Sequence, residues 1–358
     1  MSSDISRPTS ISLVILATVA VFYVLVVGKS VLVPLAVAIM IWYVINALSR
    51  SYAKLLPWVA DRNWVTTLMS LFSIGLFVAF SVDMIQNNIS DVSAAAPEYK
   101  RNFDALSIKV IQQFNLQDLP NINQVVKGIE IAPLITTLAG TFTNMISDIF
   151  IVLIYVLFLM LEQGTFQNKI SAMFPNNEQR GSILSILSHA QEDIQTYLWI
   201  KTITSLITGT VSYFILLAVG VDFAGFWAFT IFLLNFIPTI GSIIATLFPA
   251  LLTLIQFDTF GPFLIVLLGV GSVQIAVGNF LEPKLMGNSL NVSPLVVMLS
   301  LTLWGSVWGV AGMFLSVPIT VMMLIVFAHF KETRHWAILL SGNGSLKFAE
   351  QVHSIKSD

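Results

Sequence analysis

Cysteine is absent from the 358 residues, so disulfides, thiolate metal sites and cysteine nucleophiles are excluded and the redox compartment stays undecided. Charge is scarce as well. Asp, Glu, Lys and Arg make up 10% of the chain, against about a quarter in ordinary soluble domains. With 56% of residues hydrophobic, a soluble fold of this length could not hide its apolar surface. The formal net charge of −2 offers neither a basic footprint for nucleic acid nor an acidic tail. The four histidines, His189, His329, His335 and His353, are too dispersed to form a ligand cluster. No phosphate-cradling G-x-x-x-x-G-K-[ST] loop, H-E-x-x-H zinc pair or G-x-S-x-G elbow occurs. Catalysis has no visible site, no metal or cofactor is expected, and ATP-driven work would need a separate subunit. The lipid bilayer is the obvious partner.

Long apolar runs are what the chain has instead. A span needs about 20 mostly apolar residues to cross a hydrocarbon core of roughly 30 Å. Ile11–Gly28, Val31–Leu48, Trp64–Val82, Ile135–Leu161, Thr202–Val219 and Phe260–Phe280 meet that requirement, the fourth being overlong and carrying Asp148. The first run is too long for a signal-peptide core and lacks an A-x-A-like site, so a retained span is expected.

Two further stretches, 223–257 and 285–330, are too long for one straight helix across a bilayer. Each carries breakers near its middle: NFIPTIG (Asn235 to Gly241) with Pro249 beyond, and WGSVWGVAG (Trp304 to Gly312) with Pro318 beyond. Aligning Gly241 with Gly312 sets Pro238 on Gly309, a weak internal symmetry. Broken helices at membrane depth survive only where protein or a wet cavity satisfies the freed backbone. Paired breaks of this kind mark transporter binding sites. The plainer alternative is that Gly and Pro are simply commoner in membrane helices. On that alternative the chain could be a non-transporting membrane scaffold, with the breaks as packing features only.

The fold class expected is therefore an all-α integral membrane protein, with about six clear transmembrane helices and two Gly/Pro-broken hairpins. Its divisions are three spans in 1–82, an extracytoplasmic helical region in 83–134, a span in 135–161 and a cytoplasmic amphipathic helix in 162–201. A transport core in 202–330 and a cytoplasmic tail in 331–358 follow. Tyr99, Phe103, Leu106, Val110 and Phe114 give the outer region a helical stripe, and Ile183, Leu187, Ala190, Ile194 and Tyr197 do the same for the inner one. Arg7, Arg50, Lys54, Arg62, Lys169, Arg180, Lys201, Lys284, Lys331 and Arg334 fall on one side if both broken stretches return to their starting side. That side is cytoplasmic, with both termini on it. Lys29 is the misplaced charge.

Few polar residues interrupt the core. In NFLEPKLMGNSL (Asn279 to Leu290), Glu282 and Lys284 are the only acid and base between Asp258 and Lys331. They read either as an interfacial anchor, with Lys284 snorkelling, or as a proton or cation site at Glu282, with Asp148 as a relay. Thr204 and Thr208, one turn apart in a hydroxyl-rich span, serve either close helix packing or hydrogen bonding of a solute. Gln274 and Asn279 offer similar groups. The expected pathway lining is Asn235, Pro238, Gly241, Thr204, Thr208, Gln274, Asn279, Gly305, Gly309 and Gly312.

NFIPTIGSIIATLFPAL and GNFLEPKLMGNSLNVSPLVVMLSLTLWGSVWGVAGMFLSVPI, with the specific strings LEPKLMG and GxxGMxLxVP (Gly309 to Pro318), resemble the C-terminal signature of the autoinducer-2 exporter family of permeases. Segment order matches over essentially the whole chain. The resemblance implies a bacterial inner-membrane carrier exporting autoinducer-2, a neutral, hydroxyl-rich quorum-sensing signal. Some relatives are credited instead with sodium or proton antiport. It also implies homo-oligomers, pentamers being suspected, and movement of the broken-helix part against a scaffold. A small polar solute, and a proton or sodium ion as coupling partner, are the expectations it adds.

Overall fold

The computed structural model describes residues 7–59, 61–113, 131–257, 259–287, 291–330 and 332–345, and these are helical almost throughout. The helices are α1 (Arg7–Val27), α2 (Lys29–Leu55), α3 (Asn63–Gln113), α4 (Ile131–Met173) and α5 (Asn177–Val219). After them come α6 (Ala224–Leu234), α7 (Ile240–Gln256), α8 (Gly261–Ala276), α9 (Glu282–Met286), α10 (Pro294–His329) and α11 (Arg334–Leu340). In lipid every backbone polar group must be satisfied within the protein, and a helix does this within its own segment. Six helices among the described residues are long and apolar enough to cross a membrane, with shorter apolar helices at Ser12–Val27, Ala224–Leu234 and Ile240–Gln256. Leucines, valines and phenylalanines on α1 to α5 and α8 lie exposed. Such surface would drive aggregation in water but suits a hydrocarbon solvent.

Three helices outrun the segments read from the sequence. α3 has 51 residues, about 77 Å at 1.5 Å per residue, and its apolar part ends near Asn88. The expected outer helical region therefore begins as an unbroken continuation of the third span through Pro97. Residues 114–130 of that region lie outside the described residues, as do 346–358 of the expected tail. α4 runs past Leu161 to Met173, and α5 runs from Asn177 to Val219 without a break at Lys201. Lys201, expected where the cytoplasmic helix ends and the fifth span begins, is thus mid-helix.

Both broken stretches fold back as hairpins. In the first, α6 and α7 flank the connection 235–239. The side chain of Gln256 closes its base, donating to Gly220 O at 2.8 Å and accepting from Asp222 N at 2.9 Å. In the second, Ser300 Oγ donates to Ser316 O at 3.0 Å and lies 2.5 Å from Thr320 Oγ1. A straight helix would put Ser300 and Thr320 about 30 Å apart. The chain instead turns back within α10 at Gly309 (φ 63, ψ −142). The base of this hairpin pairs with the end of α11 and the residues that follow it: Ser293 N donates to Leu340 O at 3.0 Å and Gly342 N to Asn291 O at 2.9 Å.

Internal contacts divide the chain into two units. One comprises Met1–Trp42, Ile149–Ala190 and Asn291–Asp358, and so holds the second hairpin; the other comprises Tyr43–Asp148 and Gln191–Leu290, and holds the first. The second of these has an apolar centre of Leu216, Val221, Ala224, Ile231, Ala245, Ala250, Val266 and Val270.

Candidate functional site

One face of α5 is buried and polar. Tyr197, Lys201, Thr204, Ser205, Thr208 and Ser212 recur at helical spacing, all nearly inaccessible. The other side of the same turns is apolar and open, with Leu206, Ile207 and Val211 exposed. Thr204 and Thr208 turn their hydroxyls to their own helix, on Lys201 O at 3.1 Å and Thr204 O at 2.8 Å. Ser205 reaches outward and accepts a hydrogen bond from Asn235 Nδ2 at 3.0 Å. The tip of the first hairpin is therefore docked on this polar face.

Lys201 is neutralised in place. Its Nζ donates to both carboxylate oxygens of Glu282, at 2.7 and 2.9 Å, with 6% of the lysine side chain and 17% of the glutamate side chain exposed. Glu282 is aimed there by the π-turn Val277–Leu281. On α8, Val266, Val270 and Gln274 mark the buried side. A regular helix would swing Glu282 further round at each turn, whereas the extra residue of a π-turn takes back about 100°. Glu282 thereby returns to the face that carries Gln274. Lys284, the neighbour expected to snorkel, is exposed.

The register of the packed helices follows from close contacts. A Cβ on Gly209 would lie 3.0 Å from Ala228 O and 3.1 Å from Phe232 Cβ, and one on Gly269 would lie 3.1 Å from Ile215 Cγ2. Gly209 therefore faces α6 and Ile215 faces α8. Ser212, three residues from each, points into the wedge between them. The same contacts place Ser212, Trp227 and Gln274 at similar heights in the bundle. Ser212 Oγ, Trp227 Nε1 and Gln274 Nε2 are buried without a hydrogen-bond partner in the protein.

Other expected residues fall elsewhere. Asn279 lies exposed on the π-turn and does not join the buried polar face. Asp148 is on α4, but its side chain lies outside the described residues. Pro238 shapes the first tip, its carbonyl accepting from Ile240 N at 2.6 Å across Thr239. Gly241 is walled in, since a Cβ there would collide with Leu234 O. Gly305, Gly309 and Gly312 belong to the second hairpin in the other unit. There Gly305 packs on Met313, Gly309 takes the turn, and a Cβ on Gly312 would collide with Trp304 O. Trp308 Nε1 ties that tip to Leu25 O at 3.0 Å. Among the described residues no three His, Cys, Asp or Glu side chains gather as a metal site.

Sequence reasoning missed two contacts and the unmatched donor of Trp227. Lys201 had a signal, since a lysine on an otherwise buried helix face needs a counter-charge and Glu282 is the lone acid between Asp258 and Lys331. Ser212 belonged to the hydroxyl-rich span, one turn on from Thr208, whereas Trp227 gave no signal. At the far end of the first hairpin, Tyr99 Oη donates to Asp222 Oδ2 at 2.9 Å, joining α3 to the hairpin base. Burial, then this bond, raise the Tyr99 phenol above its ordinary range. Beside it, Glu98, Asn102, Leu106 and Leu254 to Phe257 line a cleft of about 270 Å³.

A family model described as AI-2E family transporter matches residues 12–332. A Haemophilus influenzae protein named as a transport protein is 32% identical over 289 residues, 78% of this chain and 82% of its own. The AI-2 transport protein TqsA of Escherichia coli is 30% identical over 322 residues, 88% of this chain and 90% of its own. YhhT of Escherichia coli, also named as a transport protein, is 33% identical over 207 residues, 57% of this chain and 58% of its own.

Proposed function

The chain belongs to the AI-2E transporter family and is a multi-pass helical membrane transporter, and from that premise we propose that it exports a small, uncharged, hydroxyl-bearing solute, with autoinducer-2 as the substrate to test first. Transport is facilitative or secondary. It proceeds across a bacterial cytoplasmic membrane, from a homo-oligomer whose subunits keep both termini in the cytoplasm.

The observation that carries this reading is the buried polar face of α5 with its unmatched donors. Leaving a donor unpaired in the interior costs roughly 1–3 kcal/mol, and Ser212, Trp227 and Gln274 each present one. A solute rich in hydroxyl oxygens supplies the missing acceptors as it passes. Asn235, Thr204, Thr208 and Gln274 line that route, with Pro238 and Gly241 shaping the tip of the first hairpin, while Gly305, Gly309 and Gly312 shape the tip of the second. TqsA, by its name a carrier of AI-2, is similar over most of this chain. Sodium or potassium exchange for protons through Glu282 is disfavoured, because its carboxylate already holds a lysine counter-charge.

Purified protein in liposomes loaded with autoinducer-2 should release it faster than protein-free liposomes, without ATP and with no dependence on a sodium gradient. Gln274→Leu should slow release while leaving the protein folded. Release equal to that of protein-free liposomes would sink autoinducer-2 as the solute, and release driven by a sodium or pH gradient would favour antiport.

A further inference from the structure

The Lys201–Glu282 pair stands near one end of the polar face, with Tyr197 one turn beyond it. Ser205, one turn further along α5, holds the hairpin tip through Asn235. Four residues of helix cover about 6 Å, so the pair lies just beyond the tip. Measured the other way, Lys201 is 18 residues from the end of α5 at Val219, about 27 Å. That is close to the roughly 30 Å thickness of a hydrocarbon core. With the Val219 end at one boundary of the bilayer, the pair sits at the other.

Net stability is a weak reason for such a pair, because the desolvation of two buried charges offsets their attraction. The chain nevertheless departs from regular helix at Val277–Leu281, and that π-turn turns Glu282 toward Lys201. π-turns of this kind recur at functional sites. On the inner side of the pair lie the hydroxyls of α5 and the unmatched donors of Ser212 and Gln274. On its outer side Lys284 is exposed. The contact thus stands between the hydroxyls of α5 and the exposed Lys284, and it is made by two groups that a hydroxyl can satisfy at once, donating to Glu282 and accepting from Lys201.

We propose that the Lys201–Glu282 pair is the closure of the solute path. It seals the polar face of α5 beyond the hairpin tip and parts when a hydroxyl-bearing solute takes over both partners' hydrogen bonds. This rests on the reading of that face as the route of transport.

The natural absence of cysteine allows a direct test. Thr208→Cys places one thiol on the buried face, inside the pair. In vesicles opened so that both faces are accessible, a membrane-impermeant methanethiosulfonate should label it slowly when the pair is intact. Adding Lys201→Met and Glu282→Gln together removes both charges without stranding either, and labelling should accelerate by roughly ten-fold, one decade in the open fraction. Lys201→Glu with Glu282→Lys rebuilds the pair reversed and should restore the slow rate. An unchanged rate in the neutral double variant, or fast labelling in the reversed one, overturns the proposal. Failure of autoinducer-2 release with the labelling pattern intact would remove the solute and leave the closure standing.

Discussion

The two hairpins share a backbone device and differ in how their tips are made. In each, a glycine presses against a carbonyl on the opposite arm, Gly241 on Leu234 and Gly312 on Trp304, too closely for any side chain. The turns then part company. The second takes its positive φ on Gly309 (φ 63, ψ −142), in a region that is essentially glycine's own. The first takes it on Thr239 (φ 59, ψ −61), a β-branched residue, with Ile240 N bonded to Pro238 O. That is the γ-turn in its rare and strained form. The strained tip is also the one docked on polar groups, through Asn235, whereas the relaxed one is held by a tryptophan. Strain concentrates where structure is given over to function, so of the two tips the first is the one to probe for a role in transport.

The glycine contacts carry the largest effect. Gly241→Ala and Gly312→Ala each force backbone apart, and each should destabilise the protein by roughly 3 kcal/mol, read as a lowered thermal midpoint in detergent. Tolerance of either alanine would mean that the two hairpins do not share the device.

Next come the turns themselves, where the signs should be opposite. Gly309→Ala should destabilise by about 2 kcal/mol, while Thr239→Gly should stabilise by about 1 kcal/mol through release of strain. Transport should fall with Thr239→Gly despite the gain in stability. Unimpaired flux in that variant would break the link between strain and function.

The smallest effect distinguishes the bases. Hairpin one is tied through Tyr99 and Asp222, hairpin two through backbone pairing. Burial and the Asp222 bond raise the Tyr99 phenol in the folded state. Its contribution is therefore full below the ordinary tyrosine pKa of about 10 and is lost as pH rises beyond that toward the folded value. Thermal midpoints from about pH 9 to about pH 11, a window that brackets the ordinary phenol pKa, should fall by a margin that Tyr99→Phe abolishes. An identical slope in that variant would show that Tyr99 does not tie the base.

Much of this fold was legible because lipid leaves few options. Apolar run length located the spans, and the glycines and prolines of NFIPTIG and WGSVWGVAG located the turns. The pairing of Gly241 with Gly312 was visible from spacing alone, and both prove to be walled in by carbonyls. Other features were hidden because they depend on what meets across the bundle. Periodicity reports a helical face without saying whether two helical stretches are joined, so α3 read as a span plus a separate cap. Lys201 and Glu282 are 81 residues apart, and nothing local links them. The π-turn that sets Glu282 leaves no trace in composition. Asn279 looked equivalent to Gln274 because both are amides, and amide chemistry does not say which face of the helix each occupies.

The unbroken length of α3 has a mechanical consequence. A helix is stiff because bending it strains many hydrogen bonds at once, and α3 carries that stiffness from its apolar first half to the Tyr99 contact with Asp222. Pro97, less than one turn from Tyr99, deletes one rung and makes the most compliant joint in the rod. A pull on the outer end is therefore delivered to the hairpin base as a torque about Pro97, and little of it is absorbed along the way. α3 is thus laid out as a lever, with its joint at Pro97 and its short arm on Asp222.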